Sequence, residues 1–195
     1  MPTDTTEKGL ETLIVEAMAG KPATSQAQTD IGREPCALYG GTGWILGRWQ
    51  DYNREYAVDL VQLTAFLKST QPELAESLDL GNTKAEVNNA LNHFSVTRQL
   101  RYSRDETKLA LDLALFINGL PVATFELKNS LTKQTVEDAV EQYKRDRDSK
   151  ELIFQFGRCM VHFAVDDQEV KFCTQLSGKS SWFLPFNQGY NDGAG

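Results

Sequence analysis

Asp112, Glu126 and Lys128 are the residues of this chain whose types and spacing could do chemistry together. They lie in LDLALFINGLPVATFELKNS, residues 111–130, a strand-forming and mostly apolar run. A charge in such a run is costly unless it is paired or used. Glu126 and Lys128 are two residues apart on one strand and so share a face, while Phe125 and Leu127 take the other. If Asp112 joins them, two carboxylates meet and repel, and a cation between them removes the repulsion. Mg²⁺ suits such a pair, because it takes hard oxygen ligands and is commonly held by one or two carboxylates together with phosphate oxygens. An ion held there can polarise a phosphodiester and acidify a water, and a nearby ammonium can position that water or offset developing charge. The chemistry implied is phosphodiester hydrolysis.

A hairpin must position these groups. From Lys108 the apolar period is two, with Leu109, Leu111, Leu113, Leu115 and Ile117 on one face and Ala110, Asp112, Ala114 and Phe116 on the other. NGLP supplies the turn and Val122–Lys128 the return strand, so residues 108–128 are expected to form a β-hairpin. A two-residue Asn118-Gly119 turn would pair Asp112 with Phe125 and put the acid on the wrong face. A three-residue loop of Asn118, Gly119 and Leu120 pairs Asp112 with Glu126, their Cβ atoms about 4.5 to 5.5 Å apart, and the functional reading requires it. The plain reading of the same residues is an acid near a strand edge and a solvated Glu126–Lys128 pair worth under about 1 kcal/mol.

The rest of the chain supplies helices and further strands. TEKGLETLIVEAM spaces Leu10, Leu13, Ile14 and Ala17 as an amphipathic helix over about residues 6–18, with Glu7, Glu11 and Glu16 on its polar side. An irregular connection with one short strand follows, and residues 57–94 read as a helical insertion: AVDLVQLTAFLKST, TQPELAESLDL and TKAEVNNALNHFSV as three helices. TVEDAVEQYKRDR is a helix with Val136, Ala139 or Val140, and Tyr143 along one side. LIFQFGRCMVHFAVDDQEVKFCTQL gives two or three strands, with a turn at Asp166 and Asp167. His162 lies within an apolar strand-like run and reads as a core residue. YGGTGW lacks the Lys-Ser/Thr ending of a phosphate-binding loop and proposes no nucleotide site.

Composition narrows the class. The chain has 195 residues, 41% hydrophobic and 24% charged, suiting one α/β domain. No apolar run reaches the roughly 20 residues needed to span a bilayer, and the N-terminus lacks the features of a secretory signal, so a cytoplasmic protein is expected. Cys36, Cys159 and Cys173 match neither a disulfide framework nor a zinc-ligand spacing. Net charge is −7, with 7 Lys+Arg against 13 Asp+Glu in residues 1–96 but 10 against 9 in residues 97–150. A balanced middle within an acidic whole fits a domain that meets DNA inside a larger, more basic assembly, and equally one that meets no nucleic acid, so charge alone does not decide.

At the hairpin the sequence resembles the N-terminal endonuclease domain of type I restriction enzyme R subunits. DLALFINGLPVATFELKN and the following QTVEDAVEQYKRDRD carry the resemblance, with RCMVHFAVD and WFLPFNQG downstream. The resemblance implies a restriction-endonuclease-like PD-(D/E)xK fold, a mixed central sheet flanked by helices, spanning residues 1–190 with residues 191–195 opening a linker to a motor region. It implies catalytic Asp112, Glu126 and Lys128, with Mg²⁺ held by the two acids and by an acid of the first helix, Glu11 or its rival Glu7. It also implies a DNA-facing role for Gln142, although Tyr143 follows Gln142 directly and Asp146, not Tyr, stands four residues after it. The implied partners are double-stranded DNA and the methyltransferase and specificity subunits, with ATP used only by downstream motor domains. A non-catalytic docking module that holds the motor against the methyltransferase core is the competing expectation.

Overall fold

The computed structural model describes residues 7–22, 38–77, 92–105, 108–129 and 132–186. Helix α1 (Glu7–Ala19) forms where the leucine spacing requires it. It buries Val15 and Ala19, with Leu10, Ile14 and Met18 alongside, against Val96, Leu113 and Leu127. Strand β1 (Lys21–Pro22) pairs with β2 (Leu38–Tyr39). Strand β3 (Ile45–Gly47) follows, then a 3-10 turn at Trp49–Asp51, then β4 (Tyr52–Asn53) paired with β5 (Val58–Asp59).

Among the described residues the expected helical insertion holds two helices. Helix α2 (Leu60–Thr70) is capped by Asp59, whose side chain accepts from Gln62 N at 3.1 Å, and α3 (Pro72–Ser77) follows. Residues 78–91 lie outside the described residues, as do Cys36 and residues 191–195, where the sequence leads one to expect a linker. The end of the expected third helix is instead a strand, β6 (Phe94–Arg101). From Phe94 on, helical spacing is overridden by pairing: β6 runs antiparallel to β7 (Ala110–Ile117) in one continuous register from Phe94↔Ile117 to Arg101↔Ala110.

Strand β7 turns into β8 (Leu120–Leu127), and α4 (Val136–Arg145) carries the chain over to β9 (Val161–Val165). A capping box joins Thr135 and Asp138 at the start of α4, and Asp166 Oδ2 accepts from Val136 N at 2.7 Å. Strands β10 (Val170–Cys173) and β11 (Leu184–Pro185) complete a seven-stranded sheet in the order β11-β10-β9-β8-β7-β6-β3. Pairing is parallel at β8/β9 and β3/β6 and antiparallel elsewhere, so the sheet is mixed, as expected.

Val136, Ala139, Val140 and Tyr143 of α4 are buried, and Ala139 and Val140 cluster with Ala164 of β9. Helix α1 packs on β3, β6 and β8, and α4 on β8, β9 and β10. The sheet thus carries a helix on each face. Among the described residues no helix is long and apolar enough to cross a membrane.

Candidate active site

The turn that sets the register has two residues, not the three expected. Ile117 pairs with Leu120, and Asn118 and Gly119 both have positive φ, 53° and 79°. That is the primed geometry that Asn-Gly favours. Its second position admits only glycine, because a Cβ at Gly119 would strike the carbonyl oxygen of Asp59 and the backbone of Leu63. The missing residue is recovered two pairs later. Phe116 pairs with Pro121, but Leu115 pairs with Ala123, so Val122 is an extra residue in a β-bulge. Beyond it Ala114 pairs with Thr124 and Leu113 with Phe125. The printed pairing ends there, and Asp112 and Glu126 occupy the next position of each strand. The three-residue loop is wrong, and the bulge at Val122 restores the offset between the strands that it was invoked to produce.

Asp112 is held by both neighbours. Its Oδ2 accepts from Leu127 N at 2.7 Å and its Oδ1 from Gln99 Nε2 at 3.3 Å. Gln99 lies on β6, opposite Asp112 in the shared register, with φ at 47°, a conformation disfavoured for any residue but glycine. The same Nε2 donates to Glu11 Oε2 at 2.8 Å. Glu11 is buried on α1 and also pairs with Arg98, whose Nη2 donates to Thr12 Oγ1 at 3.2 Å. Gln99 therefore links the first-helix acid to Asp112. The rival, Glu7, begins α1 one turn earlier.

Glu126 is fully buried. Its Oε1 accepts from Arg147 Nε at 2.7 Å, while its Oε2 has no hydrogen-bond partner. Burial raises this carboxyl to about 7; Arg147 opposes the rise, Asp112 adds to it and Lys128 opposes it. Asp112 and Lys128 thus both act electrostatically on Glu126. Lys128 is 8% exposed, and its backbone N donates to Val165 O at 2.7 Å, which ties this end of β8 to β9.

Two of the remaining expectations concern core residues. His162 is buried with Nδ1 2.7 Å from Thr124 Oγ1, and Thr124 Oγ1 is 2.9 Å from Tyr143 OH. Burial lowers the His162 pKa to about 4, so the ring is a neutral core group at neutral pH. Tyr143 packs, as its place on the apolar stripe implies. Gln142, half-buried beside it on α4, is not part of the hydrogen-bonded network around the carboxylates.

The donor set suits a hard cation at two carboxylates rather than three. Glu126 Oε2 is a buried oxygen without a hydrogen-bond partner, and the Asp112 carboxylate acts electrostatically on Glu126. Among the described residues no three His, Cys, Asp or Glu side chains converge closely enough to hold a metal. Glu11 meets Asp112 through the amide of Gln99 and is occupied by Arg98.

Residues 53–181 match the family described as the type I restriction enzyme R protein N terminus. The chain belongs to this family. A 73-residue segment is also 32% identical to a putative type I restriction enzyme MjaIXP endonuclease subunit of Methanocaldococcus jannaschii. That segment is 37% of this chain and 7% of the relative, so the match spans a small part of that protein's length.

In this R protein N-terminal domain two residues that matter to the site carry no usable signal in the sequence. Arg147 falls in YKRDRD, which reads as the solvated end of a helix. It is instead 6% exposed, and its guanidinium also reaches Ala110 O at 2.8 Å and Tyr102 OH at 3.3 Å. Gln99 stands in an alternation blurred by Arg98 and Arg101, and only the strand pairing reveals where its amide goes.

Proposed function

We propose that this domain is the DNA-cleaving nuclease of a type I restriction enzyme, hydrolysing phosphodiester bonds of double-stranded DNA with a divalent cation, Mg²⁺, at Asp112 and Glu126. The reading rests on one observation: Asp112 and Glu126 occupy the next positions of β7 and β8 beyond their last pair, Leu113↔Phe125, with Lys128 two residues after Glu126. Glu126 Oε2 and Asp112 are the cation's ligands, and Glu11, through Gln99, steadies Asp112 and stands as a further ligand if Arg98 releases it. When bound, the cation supplies polarisation of the phosphodiester and acidification of a water. Lys128 holds that water or offsets charge developing on the phosphate. Gln142 is assigned to contact with the DNA. Methyltransferase and specificity subunits choose the site, and downstream ATP-driven motor domains deliver the DNA.

The test is plasmid cleavage with Mg²⁺ by the assembled enzyme. Asp112→Ala, Glu126→Ala and Lys128→Ala should each abolish nicking and linearisation, and full cleavage by Asp112→Ala would sink the assignment.

A second reading, a docking module without catalysis, draws on the arginines: Arg147 already neutralises Glu126, and Arg98 already neutralises Glu11. Titration calorimetry with Mn²⁺ separates the two. Binding that vanishes in Glu126→Ala supports the nuclease, and no binding at all supports the module.

A further inference from the structure

A cleft of about 450 Å³ is lined by Trp49, Gln50, Asn53, Arg54, Glu55 and Arg104 among others. We propose that it binds the phosphodiester backbone of DNA, gripping phosphates that flank the one presented to Asp112 and Glu126. The inference builds on the nuclease reading and adds a place for the strand beyond the scissile bond.

Position is the first argument. Arg101, at the end of β6, pairs with Ala110, while Gln99 lies opposite Asp112. Arg101, which touches the cleft residues Arg54 and Trp49, is thus two residues, or about 7 Å of strand, past the position opposite the acid, and Arg104 of the cleft follows three residues later. Successive phosphates of one strand rise about 3.4 Å each along the duplex axis, so neighbours of a bound phosphate fall within that reach.

Charge is the second. The chain carries −7 overall, and its first 96 residues hold nearly twice as many acids as bases. Yet the cleft is lined by Arg54 and Arg104 against the carboxylate of Glu55, and Arg101, outside the lining, stacks on its Trp49 ring at 4.5 Å. All three cations are arginines, whose planar forks match phosphate oxygens two at a time.

Preorganisation is the third. Arg54 Nε donates to the Arg101 carbonyl at 3.0 Å, fixing one guanidinium to the strand that bears the next. Asn53 Oδ1 accepts from Glu55 N at 2.9 Å and Tyr56 N at 3.0 Å, which builds the turn presenting Arg54. A long, entropically costly side chain thus waits in place.

The experiment measures fluorescence anisotropy of a labelled DNA duplex with the chain in EDTA, where no cleavage occurs, as salt rises from about 20 to 200 mM. Each phosphate contact contributes about 0.9 to the slope of log affinity against log salt. Arg104→Ala should lower the slope by about one and Arg54→Ala/Arg104→Ala by about two, with Arg54→Lys/Arg104→Lys regaining part of the affinity. Mn²⁺ affinity at the acid pair should be unchanged in all of them. Arg104 is exposed, so its variant keeps the fold even if the double substitution does not. An unchanged slope in folded Arg104→Ala, or no duplex binding by the unsubstituted chain at about 20 mM salt, overturns the proposal. So does ATP binding that the same substitutions abolish while the DNA slope stays put, which would mark a mononucleotide site. The nuclease reading fails separately, by full cleavage in Asp112→Ala.

Discussion

Arg147 donates to Glu126 across 2.7 Å with both side chains buried, and the same guanidinium holds the carbonyl of Ala110, two residues before Asp112. One cation from the end of α4 therefore fastens β7 to β8 beside the two acids. Removing one partner of a buried pair strands the other charge and typically costs about 3 to 5 kcal/mol. Arg147→Met should lose stability on that scale in urea unfolding, and Glu126→Gln in the same background should recover much of it. Equal midpoints for Arg147→Met and the unsubstituted chain would show that the pair contributes nothing.

Two buried groups make opposed pH dependences. Glu126 rises from 4.5 to about 7 on folding, so the folded state binds the extra proton and stability falls as pH climbs through that window. His162 drops from 6.5 to about 4, so the unfolded state binds the extra proton and stability falls as pH is lowered through its window. Each full excursion is on the order of 3 kcal/mol, and over the shared range the two largely cancel. In metal-free buffer between about pH 4.5 and 6.5, Glu126→Gln should make stability increase with pH, and His162→Gln should make it decrease. Parallel curves for the two variants would contradict the assignment.

Gln99 holds a left-handed backbone conformation to bring one amide between Glu11 and Asp112. Strain of this kind costs about 1 to 3 kcal/mol and persists where surrounding contacts demand it. Gln99→Gly relieves the backbone but deletes the amide. Its thermal midpoint should stay level or rise, while plasmid cleavage falls at least about tenfold, the usual trade between site strain and activity. A variant that keeps full cleavage would remove Gln99 from the site.

Lys128 should separate from the acids in its effects. Asp112→Ala and Glu126→Ala are expected to lose both Mn²⁺ binding and cleavage. Lys128→Ala should lose cleavage and keep Mn²⁺ affinity, because its ammonium acts on water and phosphate rather than on the cation. Calorimetry and a nicking assay on the three variants decide the matter.

Helices α1 and α4 and the hairpin were legible because one apolar period runs unbroken through each. The register of the acids was not, since it depends on Val122 doubling up within a strand, and an extra residue in a bulge looks like any other strand residue. Strand β6 was hidden for a related reason. Arg98 interrupts the Phe94, Val96 and Leu100 face with a charge, Ser95, Thr97 and Gln99 make the other face polar, and Phe94 to Val96 continue a helical spacing until β7 claims them. Arg147 was hidden by its neighbours: Lys144, Arg145, Asp146 and Asp148 are ordinary surface charges, and nothing local marks the one among them that turns inward.

The bulge at Val122 also means that the count of residues between the acids is not what keeps them together. Deleting Val122 would straighten the hairpin yet leave the same partners opposed, because Leu115 and Ala123 would simply become the next rung after Phe116 and Pro121. A chain of this family with the acids one residue closer along the backbone would thus keep the same pair of faces, and a search that insists on a fixed interval would pass over it.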